Sequence, residues 1–250
     1  MSYVRRWIRS TVPLTLRQAV AHIRRQWQDW KKGIHFSQQR CMEDLSEFNL
    51  QSEIRQPILP SALFENKLIN LGLGAGRVNL SMLRSNENWS FWHYVQQPSE
   101  RNDFVVGRNL VNGQLTRQVG GGLCQLSSLM YHLALSVGLH ITERHAHSID
   151  IYQEHERFTP LGADATVVWG FKDLRLTNPH AIDLVFECFI KEHFLTGRVY
   201  SRNPLPKYET SFVREQVGAQ RVLVNTLVNQ RPHTKTIYVQ KQGLGLDAEH

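Results

Sequence analysis

The chain has 250 residues, 41% of them apolar and 20% charged, which excludes a disordered polymer and leaves enough length to bury a sizeable core. Its net charge of +7 is concentrated, because residues 1–33 hold eight basic side chains against the single acid Asp29. The remainder is therefore neutral, which argues against nucleic acid as a partner. Three scattered cysteines, Cys41, Cys124 and Cys188, make neither a disulfide framework nor a CxxC zinc pair, and neither a metal nor a cofactor is expected.

The opening residues include basic side chains but no apolar run of signal-peptide length, and nothing later approaches the ~18 apolar residues of a spanning helix. This reading places the chain in the cytoplasm with reduced thiols, peripheral on the inner membrane surface if it meets a membrane at all. Residues 1–45 are read as a basic amphipathic helical arm. Thr15 and Gln18 have capping-box spacing, and Leu16, Val20, Ile23, Trp27 and Trp30 then share one helical face opposite Arg17, Arg24, Arg25 and Lys32. The stripe is expected to dock on the body. The alternative is that residues 14–32 lie on an anionic membrane surface.

Residues 46–240 are read as one α+β domain, followed by a disordered tail at 241–250. Ala62 to Leu73 has helical spacing, and Gly72, Gly74 and Gly76 are expected to end that helix in a turn. Trp89, Phe91, Trp92 and Tyr94 read as core, with a sugar platform as the alternative. Leu123, Leu126, Met130, Leu133 and Val137 define a buried helix closed by Gly138, to be packed on a mostly antiparallel sheet. Ile141 to Tyr152 alternates as a strand that puts Glu143, His145 and His147 in one row. Further strands are expected at Ile182–Ile190, where Cys188 is inert packing, and at Val222–Val228 and Thr236–Val239 around a turn at 230–233.

Cys124 falls in the first turn of the buried helix, where orphan N–H groups and the helix dipole favour a thiolate. The glycines before it would let a substrate or another backbone approach closely. A cysteine at a helix start followed by histidines on the next strand has the layout of thiol catalysis, with Asp164 as an orienting carboxylate. A polar core with no chemistry stands as the alternative.

The segments GGGLCQLSSLMYHLAL, ERHAHSIDIY and GADATVVWGFKDLRLTN closely resemble the VanW family. The family's blocks fall on Gly120–Gln125, on Glu143–Ser148, and on Asp164–Val167 with Asp173, Leu174 and Asn178. With Asn79, Trp89, Phe91 and Trp92 upstream, the resemblance covers roughly residues 65–180. It implies work on peptidoglycan or a precursor and a link to glycopeptide resistance. Many members carry signal peptides or anchors, and this chain departs from them in having only the basic arm. Cys124, His145, His147, Glu143 and Asp164 are the expected catalytic set. Gly120, Gly121, Gly122, Gln125, Arg144, Ser148 and Thr166 are the expected substrate contacts, with Gln125 steadying an oxyanion. Two chemistries fit, thiol acyl transfer or hydrolysis through Cys124 and glycan cleavage by Glu143 or Asp164. A non-catalytic module that binds a wall fragment or precursor is the competing reading.

Overall fold

The computed structural model describes residues 11–111, 114–150, 152 and 154–240. Helix α1 (Leu14–Lys31) comes first, then strand β1 (Asn49–Pro57), helix α2 (Phe64–Val78) and the short strands β2 (Ser81–Leu83) and β3 (Asn88–Ser90). Helix α3 (Phe91–Val95) leads to the hairpin β4 (Val106–Val111) and β5 (Gln114–Val119), which delivers the chain into helix α4 (Leu123–Ser136). Strands β6 (His140–Glu143), β7 (Ile149–Asp150) and β8 (Arg175–Thr177) follow, then β9 (Leu184–Lys191), β10 (Phe194–Ser201), β11 (Thr210–Gly218), β12 (Arg221–Val228) and β13 (Arg231–Gln240).

The fold is α+β. The main sheet is antiparallel in the order β1-β10-β9-β2, and α2 and α4 pack on it. A second sheet runs β11-β12-β13-β7, with β7 parallel to β13, and a third runs β3-β8-β6. The expected stripe of α4 is core: Leu123, Leu126, Met130, Leu133 and Val137 are all buried. Gly138 closes the helix as expected. Its N–H donates to the Leu135 carbonyl and that of Leu139 to Ala134, which pairs the last orphan carbonyls in a Schellman motif. The aromatic cluster Trp89, Phe91, Trp92 and Tyr94 is core as well.

Four expectations need correction. The glycines of residues 72–76 do not end α2, which continues to Val78. A Cβ on Gly74 would meet Leu123 and Leu126 at 2.8 and 2.9 Å, so this glycine lets α2 and α4 approach closely. That contact outweighs the ~1 kcal/mol that glycine costs inside a helix. The strand expected over Ile141–Tyr152 breaks after Glu143, and pairing resumes only at Ile149. The turn between β12 and β13 lies at Asn229–Gln230, both at positive φ, and Pro232 is inside β13 beside a bulge, where its missing N–H costs little. The tail at 241–250 lies outside the described residues.

The fourth correction concerns α1. It starts at Leu14 directly after Pro13, with no side-chain cap, so the Thr15–Gln18 box does not form. The helix does dock on the body, but by its polar side. Asp29 accepts both guanidinium N–H groups of Arg175 at 2.7 and 2.8 Å, Arg25 pairs with Glu143, and His22 stacks on Trp169 at 4.2 Å between ring centroids. The apolar stripe faces away from the body.

Candidate functional site

The site begins with two serines in an otherwise apolar helix. Ser127 Oγ donates to the Ala165 carbonyl at 2.6 Å, and Ser128 Oγ accepts the Ala165 N–H at 3.0 Å while donating to the Cys124 carbonyl. These bonds hold the segment around Asp164 against the first turn of α4. Asp164 is then seated by Arg144, whose Nε donates to its carbonyl at 2.8 Å and whose guanidinium also reaches its carboxylate at 2.9 Å. Tyr238 donates its hydroxyl to the same carboxylate oxygen, and Arg144 also binds Thr236 and lies over the Tyr131 ring.

The second oxygen of Asp164 receives both the backbone N–H and Nδ1 of His147, each at 2.7 Å. With Nδ1 bound to Asp164, the imidazole lies close enough to Cys124 that each group shifts the other's protonation, and the thiol itself donates to the Val167 carbonyl at 3.8 Å. Cys124, His147 and Asp164 thus bring a thiol, an imidazole and a carboxylate together, and all three line one open pocket. Gly122, at φ +100°, and Gln125 line it too, with Lys67, Arg108, Tyr152, Arg157 and Tyr238.

The electrostatics suit an ion pair. Burial opposes ionisation of the Cys124 thiol, yet the hydrogen bond and charge of His147 bring it below the ordinary cysteine value. Burial likewise opposes a charged imidazole, but Asp164 and Cys124 raise His147 to about 10. Asp164 is buried and nevertheless held well below the usual carboxylate range by His147 and Arg144. By contrast, burial pushes the Cys188 thiol up to about 12, which leaves it the inert packing group the sequence suggested.

The other expected catalytic residues lie elsewhere. Because the strand breaks after Glu143, the expected row of three splits. His145 Nε2 turns back to Glu143 at 2.9 Å, and Glu143 also meets Arg25, Arg175 and the Asp173 N–H. Burial disfavours its charge, but these donors hold the Glu143 carboxyl far below its usual range. Neither Glu143 nor His145 lines the pocket.

Several expected substrate contacts are also spent on structure. A Cβ on Gly121 would lie 2.2 Å from the Gly107 carbonyl carbon, and one on Gly120 would lie 2.4 Å from Pro98, so the approaching backbone is the chain's own β4. Gln125 donates its amide to the Pro57 carbonyl at 3.0 Å, which takes that donor from an oxyanion. Arg144 is a positioning residue behind Asp164, Ser148 is exposed outside the pocket, and Thr166 is buried with its N–H given to the His145 carbonyl. Asp173 and Asn178 are structural too, accepting from Ser90 and bracing the Leu83 and Ile182 carbonyls respectively.

The sequence reading missed Ser127, Ser128, Lys67 and Tyr238. The paired serines facing core in α4 were the available signal; Tyr238 reaches the site only through the pairing of distant strands. Among the described residues no group of three or more histidine, cysteine, aspartate or glutamate side chains is arranged to hold a metal ion. No helix among them is long and apolar enough to cross a membrane.

What the fold presents is an α+β domain with a thiol–imidazole–carboxylate centre at the start of its buried helix. The chain belongs to the VanW family, whose model, described as "VanW like protein", matches residues 66–200. It is 29% identical over 160 residues to the vancomycin B-type resistance protein VanW of Enterococcus faecalis, covering 62% of this chain and 58% of that protein. It is 28% identical over 146 residues to the uncharacterized protein YoaR of Bacillus subtilis, covering 58% of this chain and 43% of that one. The chain thus spans about half the length of these curated relatives. No solved structure matches it significantly.

Proposed function

We propose that the protein is a thiol-dependent hydrolase or acyl transferase acting on a peptidoglycan-related amide or ester, in a process connected with glycopeptide resistance. The observation that carries this reading is the meeting of Cys124, His147 and Asp164 in one pocket, with Nδ1 of His147 bound to Asp164 at 2.7 Å. In the first step the Cys124 thiolate attacks the substrate carbonyl carbon, and the first-turn N–H groups of α4 would be the donors for the oxyanion. The His147 imidazolium then gives its proton to the departing amine or alcohol, leaving an acyl thioester. His147, now neutral, deprotonates the water or acceptor amine that releases the product, while Asp164 keeps its tautomer and orientation.

The similarity to a protein named for vancomycin resistance supports the wall-related substrate. So does the charge of the pocket, where Lys67, Arg108 and Arg157 outnumber Asp150 and Asp164 and favour a substrate with an acidic group. Carboxyl-assisted glycan cleavage is the weaker reading. It needs a protonated acid at the site, whereas Glu143 is outside the pocket and Asp164 is held ionised. A module that only binds a wall fragment has no use for an activated thiol. The test is turnover of peptidoglycan fragments and precursors, followed by mass spectrometry of the trapped acyl enzyme. A substrate-derived adduct on Cys124 is the expected result. Unchanged turnover in Cys124→Ser would overturn the thiol reading.

A further inference from the structure

Helix α1 turns its polar face to the protein and its apolar face outward, the reverse of an ordinary surface helix. Leu16, Val20, Ile23, Trp27 and Trp30 are 55, 59, 64, 52 and 72% exposed, although they form one continuous stripe. The underside accounts for this orientation. Asp29 and Arg25 are bound by Arg175 and Glu143, His22 lies on Trp169, and the Gln18 carbonyl sits where a Cβ on Gly170 would be only 2.4 Å away. The helix is therefore built and fastened without help from whatever meets the stripe.

The charge around the stripe narrows what that is. Arg24 and Lys31 are exposed along its edge, and the Lys31 ammonium lies over the Trp27 ring at 3.9 Å. The one acid of α1, Asp29, is already committed to Arg175. The outward surface is thus apolar and purely cationic, and the whole basic excess of the chain lies in its first 33 residues. A second copy of this helix would bring basic flanks together, which electrostatic complementarity disfavours. A bilayer with anionic headgroups satisfies both features: tryptophans settle at the headgroup level, and lysine and arginine pair with lipid phosphates above them.

We infer that α1 is a preformed anchor on anionic membranes, with Leu16, Val20, Ile23, Trp27 and Trp30 laid into the headgroup boundary and Arg24 and Lys31 held at the phosphates. Its pre-organisation matters, because binding does not have to order the helix as well. This inference is independent of the chemistry at Cys124.

The test is co-sedimentation of the full chain with vesicles of equal parts phosphatidylcholine and phosphatidylglycerol, against pure phosphatidylcholine, alongside tryptophan emission. Binding to the anionic vesicles with a blue shift is expected. Trp27→Glu with Trp30→Glu should weaken it by about tenfold or more. Each of Arg24→Gln and Lys31→Gln should cost about fivefold at low salt. All of these positions are solvent-facing, so melting temperature and Cys124 alkylation should stay at the wild-type level and report intact folding. The inference fails if the wild type stays in the supernatant, or if the Trp→Glu pair binds undiminished. It also fails if ultracentrifugation finds a dimer that the same pair dissolves, since a second copy would then cover the stripe.

Discussion

Glu143 with His145 and Asp164 with His147 are both histidine–carboxylate pairs, and their histidines stand two residues apart on one short segment. In each the imidazole reaches the carboxylate within 3 Å, at 2.9 and 2.7 Å, and in each an arginine shares that carboxylate. They differ in what lies on the far side. Behind Glu143 are Arg25 and Arg175, so the pair clamps α1 onto β6 and β8. Beyond His147 is Cys124, so Asp164 stabilises an imidazolium that lowers the thiol's pKa. The same residue types clamp a helix in one case and stand beside a thiol in a pocket in the other.

The largest effect that would separate the two pairs is on turnover. Cys124→Ser is expected to lower thiol-dependent turnover by about a thousandfold or more, with the fold retained by circular dichroism. The pH profile should carry the same mark. The Cys124 thiol is held below its ordinary value and His147 is raised to about 10, so the imidazolium persists through neutral pH beside a thiol that ionises more readily than an ordinary cysteine. Turnover should fall on the basic side near that value, where the imidazolium that protonates the leaving group is lost.

Asp164→Asn comes next, and it should damage both activity and stability. Removing the carboxylate leaves Arg144 and His147 without their shared anion, which is expected to cost about 3–5 kcal/mol in denaturant unfolding and about a hundredfold or more in turnover. The wild-type contribution has a defined window. Because the folded pKa of Asp164 is depressed, its stabilisation is present above the ordinary carboxylate value and is lost as pH falls through the folded one. His147 runs the other way, with its share complete below 6.5 and lost as pH rises toward about 10.

Glu143→Gln should be milder and confined to stability. It weakens the seat of α1 by about 1–3 kcal/mol, while the rate of Cys124 alkylation stays at the wild-type level. A marked fall in alkylation would merge the two pairs into one functional unit.

These differences also show where sequence reasoning reaches and where it stops. The buried stripe of α4, its closing Gly138 and the position of Cys124 were legible because a 3.6-residue period and a cap are local properties. The split of the two histidines was not. Alternation through Ile151 resembles one strand, and only the pull of Asp164 on the backbone and side chain of His147 breaks it. The orientation of α1 was misjudged for a related reason. Apolar spacing identifies an amphipathic face, but whether that face turns inward depends on Glu143, Trp169 and Arg175, more than a hundred residues away. Gly121 shows the same limit, since the neighbour that requires it is a strand of the protein itself and not a substrate.

The smallest expected effect is the sharpest test of the comparison. His145 is about one-third exposed, and its ring makes one bond, to a carboxylate that already has Arg25 and Arg175. Its carbonyl accepts the Thr166 N–H at 2.6 Å, a bond that alanine keeps. His145→Ala should therefore cost less than about 1 kcal/mol and leave turnover within about twofold. The cost should depend on pH in one direction only. Glu143 has its folded pKa lowered from 4.5, so the stabilisation it brings is present above that value and is lost as pH falls. Removing one donor reduces that lowering, so the variant should lose less stability between neutral pH and the acid limb than the wild type does. If His145→Ala instead silenced Cys124, the clamp would be part of the proposed reactive centre, and position relative to the thiol would no longer explain why two such similar pairs differ.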